Sequence, residues 1–156
     1  MSMLRELQAY LNAHQITYQV LTHSIAYTAQ EVARAQHIPN NMMAKVVMVK
    51  TEAGAPLMLV LPASHKVDFA RLQAVLGVRA ELEQEHEFRD LFPDCKIGAE
   101  PPFGQLFNLA TLVDTALTQD DEIVFNAGSH WQTLRMRYED FARLVQPRIL
   151  TFAKHL

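Results

Sequence analysis

One cysteine, Cys95, stands among 156 residues, so an intrachain disulfide and a multi-cysteine zinc site are both excluded. A reducing cytoplasm is the compartment that fits. No apolar run approaches the roughly 18 residues of a membrane span, and the start Met1-Ser2-Met3-Leu4-Arg5-Glu6-Leu7 lacks a basic region followed by an apolar core. Neither export nor membrane insertion is expected. Positive charge is scarce as well: 14 Lys and Arg against 17 Asp and Glu leave a net charge of -3, which excludes broad charge-driven binding to DNA or RNA. Any nucleic-acid contact must be local. His23, His65 and His86 lack H-x-H or H-E-x-x-H spacing, so no metal is expected. There is no P-loop, dinucleotide fingerprint or G-x-S-x-G elbow, and no cofactor is expected either.

What is there is a globular composition, 49% apolar and 20% charged, without repeats or a low-complexity tract. A chain of this length buries about 70% of its unfolded surface, enough to support a site without staples. One compact domain over residues 1–156 follows. Leu4, Leu7 and Leu11 recur at helical spacing, and Thr17 to Thr22 is rich in strand formers. Thr28-Ala29-Gln30-Glu31 has the form of a capping box, opening a short helix that stops before Pro39. Ala44 to Lys50 and Pro56 to Leu61 read as a hairpin at the centre of the sheet. Helices are expected over Val67 to Leu76, with Gly77 as the stop, over Glu81 to Phe92, closed by Pro93, and over Tyr138 to Val145. Leu112 to Asp114, Glu122 to Asn126 and Thr133 to Met136 are the remaining strand candidates. Without regular β-α-β alternation, these elements predict an α+β or irregular α/β domain: a central mixed sheet flanked by helices.

Three segments stand out chemically. Gly98-Ala99-Glu100-Pro101-Pro102-Phe103-Gly104 concentrates two of the five glycines and two of the seven prolines in one short loop of fixed shape. It is either a rigid turn or a device that presents backbone groups to a ligand. Lys45 begins an apolar strand on the face of Val47 and Val49. It either snorkels to solvent or supplies a fixed cation for a phosphate or a polarised carbonyl. Asn126-Ala127-Gly128-Ser129-His130 is a small-residue turn, ordinary by composition, that ends on the histidine best placed for acid-base work. Cys95 reads as an apolar filler, with a nucleophilic role as the alternative.

Together, Lys45, the Gly98 to Gly104 loop about fifty residues later and Asn126-Ala127-Gly128 resemble the YbaK/EbsC family, free-standing relatives of the editing insertion domain of bacterial prolyl-tRNA synthetase. The likeness runs from His23 to the closing helix. It implies a YbaK-like fold and hydrolysis of the ester joining a wrong amino acid to the 3′ end of a tRNA. The family's strand lysine falls on Lys45 and its Gly-x-x-x-Pro loop on Gly98 to Pro102, so Lys45 and Gly98 are the implied catalytic positions. Ala99, Glu100, Pro101, Pro102, Phe103, Gly104, Asn126, Gly128 and His130 are the implied substrate contacts. Loop N–H groups would stabilise the carbonyl oxygen, and a water positioned by the loop and a ribose hydroxyl would attack. Serine, alanine and threonine rank ahead of cysteine as the residue removed. The tRNA acceptor end is the implied partner, touched by Lys45, Lys50, Lys66 or Arg135, with a synthetase as a further one. The alternative is a catalytically silent module that binds an aminoacyl-adenosine end or regulates a synthetase.

Overall fold

In a computed structural model, which describes residues 2–156, the local signals set most of the elements. Helix α1 (Met3–Ala13) starts where Ser2 accepts the Arg5 amide, and it buries Met3, Leu7 and Leu11. Strand β1 (Tyr18–Thr22) leads to α2 (Ala29–Ala35), whose Thr28 and Glu31 form both halves of the capping box. Strands β2 (Ala44–Thr51) and β3 (Pro56–Pro62) pair antiparallel as the central hairpin. After β4 (His65–Val67), α3 (Phe69–Leu76) is capped by Asp68 and stopped by Gly77 at φ 74°.

Over Glu81 to Phe92 the structure corrects the sequence reading. Instead of one helix, the chain forms strand β5 (Ala80–Leu82), a single turn α4 (Glu85–Phe88) and a 3-10 turn over Arg89–Leu91. The reason is tertiary: β2 has a free edge at Val49, Lys50 and Thr51, and Leu82, Glu81 and Ala80 pair with it. Backbone pairing there outweighs helix propensity. Next come β6 (Ala110–Asp114), β7 (Glu122–Asn126), β8 (Gln132–Arg137), α5 (Tyr138–Val145), β9 (Arg148–Leu150) and β10 (Ala153–His155).

The central sheet runs β5-β2-β3-β6-β9 and is mixed, since β3–β6 and β6–β9 are parallel and the other pairs antiparallel. The α+β expectation with a central mixed sheet holds. A three-stranded antiparallel sheet, β1-β8-β7, meets it at one parallel bridge, Met43 to Val124. Two residues beyond that bridge on each strand stand Lys45 and Asn126. Period two puts them on the face of Met43 and Val124, which are buried with Val32 and Ala33 of α2. The opposite face is filled by the largest core cluster, which includes Phe103, Phe125 and Phe141. Among the described residues no helix is long and apolar enough to cross a membrane.

Candidate active site

Lys45 is half-buried on β2 and has no hydrogen-bond or ion-pair partner among the described residues. Burial holds its ammonium below the usual lysine range. Its charge reaches His65, whose imidazole is lowered first by burial, then by His155, with Lys45 adding to both. A cation held at a sheet end without a carboxylate is poised for an anionic or strongly dipolar ligand.

The Gly98 to Gly104 loop is fixed, but its amides point inward to partners of their own. Gly98, at φ +87°, donates its N–H to the Glu100 carboxylate at 3.1 Å. The Ala99 amide donates to Lys96 O at 3.0 Å, that of Phe103 to Pro101 O at 2.9 Å, and that of Gly104 to Thr111 Oγ1 at 3.1 Å. Prolines 101 and 102 have none to give. These four donors are engaged and the Glu100 amide faces its own carboxylate, so the loop does not offer a row of free N–H groups in this conformation. Glu100 is 7% exposed; burial raises its pKa, while hydrogen bonds from its own amide and that of Gly98 oppose the rise. Phe103, expected as a substrate contact, instead sits fully buried against Phe125 and Phe141, with ring centroids at 5.4 and 5.5 Å. Gly104 is buried too, and an added Cβ there would collide with Thr111 Oγ1.

Gly128 clamps the loop, its N–H donating to Ala99 O and its carbonyl accepting from Lys96 N, both at 2.9 Å. A Cβ on Gly128 would lie 2.6 Å from Met3 Cβ, so glycine lets α1 close over the turn. Asn126 donates its amide to Gly98 O at 3.4 Å. His130 faces the same glycine: a Cβ on Gly98 would meet its Cε1 at 3.7 Å. Asn126 Oδ1 and His130 Nδ1 are buried with no protein partner, as is His23 Nε2. Orphaned buried polar atoms beside one exposed glycine mark a place where a polar ligand is accommodated. The structure thus brings Gly98, Asn126, Gly128 and His130 together, and sets Lys45 level with Asn126 across the β2–β7 junction.

A comparison with known families places the chain. The sequence model of the aminoacyl-tRNA editing domain matches residues 23–144. The chain belongs to the aminoacyl-tRNA editing domain family. The Multifunctional Ser/Thr-tRNA deacylase ProXp-y of Escherichia coli K12 is 26% identical to it over 155 residues, covering 96% of this chain and 92% of that protein. A solved structure described as a candidate trans-editing enzyme for prolyl tRNA synthetase superposes with a TM-score of 0.82 at 19% identity, covering 99% of this chain and 98% of that one. A hypothetical protein superposes at 0.85 with 17% identity, covering 95% and 99%. These structures share the fold, and the family resemblance drawn from Lys45, the loop and Asn126 to Gly128 is correct.

Several other groups in this editing domain are accounted for by structure. Cys95 has its thiol pushed up to about 12 by burial and by the nearby Glu100, Asp94 and Glu6 carboxylates, which argues against the nucleophilic alternative. Lys50 is paired with Glu87 and Glu81, and Arg135 with Glu122 at 2.8 Å, so neither is free for phosphate. Lys66 is exposed, opposite Lys154 in the β4–β10 ribbon. A cleft of about 530 Å³ lined by Lys50, Glu52, Arg79 and Glu81 contains none of the site residues. Sequence reasoning missed Tyr27, whose ring lies 4.8 Å from that of His130. The only signal for it was its place just before the capping Thr28.

Proposed function

We propose that this editing domain is a deacylase that hydrolyses the ester linking a small amino acid to the 3′ end of a tRNA. Serine and threonine rank first, alanine next and cysteine lower. The observation that carries the reading is the unpaired, half-buried ammonium of Lys45, level with Asn126, whose amide holds the Gly98 carbonyl. A lysine left without a carboxylate in that position serves a ligand rather than the fold. The family match and the Ser/Thr-tRNA deacylase name of the 26% identical relative support the substrate class.

Water adds to the ester carbonyl, the bond from the acyl carbon to the ribose oxygen breaks, and the departing oxygen takes up a proton. The products are a free amino acid and a tRNA with its terminal hydroxyl restored. Lys45 orients the terminal nucleotide through phosphate or polar groups rather than acting as the base. The carbonyl oxygen gains negative charge, and the N–H of Gly98, the loop's exposed glycine, is the donor assigned to it in exchange for the Glu100 carboxylate. Asn126 and His130 keep that glycine in place. A pocket sized for small side chains separates substrates differing by one methylene by only about 10- to 200-fold, so overlapping substrates are expected.

The test is a panel of tRNAs charged with serine, threonine, alanine or cysteine, incubated with the protein and scored for free amino acid. Release from at least one is expected, with Lys45→Ala near the buffer rate and its thermal unfolding retained. No release above buffer from any tRNA overturns the reading.

A further inference from the structure

The most exposed large apolar side chains near the site gather at one rim. Ile25 and Tyr27 are 63% and 65% exposed, and Trp131 is 41% exposed. Their backbone is not loose. The His23 amide donates to Trp131 O at 2.9 Å and the Ala26 amide to His130 O at 3.1 Å, so residues 23–26 leave β1 tied to the two residues that lead into β8. Thr22 pairs with Gln132, which makes His23 and Trp131 the next cross-strand neighbours, on the sheet face of Leu21 and Thr133. That face meets α2, since Thr133 donates to Gln36 Oε1 at 2.6 Å. The Tyr27 ring lies on His130, the residue that faces Gly98, and Trp131 is the next residue in the chain, its carbonyl held by the His23 amide.

A packing role does not explain Tyr27. It precedes the capping Thr28, where an apolar residue ordinarily staples onto the fourth helical residue, here Val32. Val32 is fully buried while Tyr27 is mostly exposed, and its ring lies on His130. No staple forms.

We propose that Tyr27 and Trp131 are a stacking platform for the unpaired bases at the 3′ end of the tRNA. The proposal rests on the deacylase reading, which delivers a single-stranded end to His130 and Gly98. Aromatic faces suit that end because every base has a π-face, and base stacking is independent of net charge. In a chain of net charge -3, phosphate contacts alone make a weak grip.

Trp131 is the only tryptophan, so its fluorescence reports its own surroundings. Titration of the full chain with the trinucleotide CCA is expected to quench it saturably. Tyr27→Ala and Trp131→Ala are each expected to raise KM for mischarged tRNA about 5- to 150-fold, the range for loss of one stacked base, with the change falling on KM rather than kcat. Tyr27→Phe and Trp131→Phe, which keep a ring, recover most of the loss. Emission unmoved by millimolar CCA, or KM unchanged in both alanine variants, overturns the proposal. Emission that changes with protein concentration and not with CCA also overturns it, since the rings then meet a second copy. Absence of any deacylation by the unmodified protein sinks the functional reading instead, and CCA quenching still decides the stacking.

Discussion

The Glu100 carboxylate accepts a hydrogen bond from the Gly98 amide, two residues back in its own loop, at 3.1 Å. A carboxyl oxygen of the protein thus occupies the donor that a developing oxyanion would need. Glu100→Ala removes this occupant without altering the glycine, and kcat is expected to change severalfold, whereas KM for tRNA stays close to that of the unmodified chain. Equal kcat in the two proteins would show that the Gly98 donor plays no part in the rate.

The same carboxyl has a consequence for stability. Burial raises its pKa in the folded state, so the stabilising, protonated form is complete below the unfolded value of about 4.3 and is lost as pH rises through the folded value. Glu100→Gln keeps an oxygen for the Gly98 amide but cannot ionise. Its unfolding temperature is expected to exceed that of the unmodified chain near neutral pH, with the gap closing toward about pH 4. Thermal unfolding at a series of pH values checks this, and a gap independent of pH would mean that Glu100 is not buried as a titrating group.

Two glycines of the loop predict opposite outcomes. At Gly98, φ +87° makes any side chain strained, yet an added Cβ meets only His130 Cε1 at 3.7 Å. Gly98→Ala should fold with a loss of about 1–2 kcal/mol, the handedness penalty of one L-residue, and lose most deacylation. At Gly104 the added Cβ would lie 2.6 Å from Leu109 O and closer still to Thr111 Oγ1. Gly104→Ala should therefore unfold or greatly destabilise the chain, because backbone cannot yield as a flexible side chain does. Denaturant unfolding of both, beside deacylation by the first, distinguishes strain in the site from a clash in the core.

With its thiol pushed up to about 12, Cys95 stays protonated at neutral pH. Cys95→Ser is expected to deacylate at the unmodified rate, and iodoacetamide should react with the native chain far more slowly than with the unfolded one. A hundredfold loss in the serine variant would restore the nucleophile reading.

Elements specified by neighbouring residues were legible in sequence: the helix opened by Thr28 with Glu31, the helix stopped by Gly77, and the hairpin of Ala44 to Lys50 with Pro56 to Leu61. Strands β4, β9 and β10 were not, because three residues are too few to show a period and each exists only by pairing with a distant partner. The helix expected over Glu81 to Phe92 failed for the same reason, since the free edge of β2 is invisible from those residues alone. Within the site, Lys45 and the glycine-proline loop were conspicuous by type. Which way the loop's groups turn was not. Phe103 faces the core and Glu100 reaches back to Gly98, and neither orientation follows from composition. Tyr27 and Trp131 stayed hidden because exposure, not identity, makes them notable.

Lys66 and Lys154 stand directly opposite each other in the β4–β10 register, both exposed and neither paired with a carboxylate among the described residues. Like charges across a strand pair destabilise it, so this arrangement serves something other than the fold. Its neighbours His65 and His155 add no negative charge, and Asp114 is committed to the Phe152 and Ala153 amides at 2.8 Å each. Lys50 and Arg135, by contrast, are already neutralised by Glu87, Glu81 and Glu122. If the two ribbon lysines each neutralise one tRNA phosphate, Lys66→Glu with Lys154→Glu should raise KM and flatten the dependence of log KM on log salt by about 1.4 to 1.8, near 0.7–0.9 for each phosphate set free. Lys50→Gln should leave that slope alone while lowering stability, since it strands Glu87. An unchanged slope in the double variant would confine the tRNA's phosphate contacts to Lys45 and its immediate surroundings, leaving the ribbon lysines only the role of guarding an open strand edge.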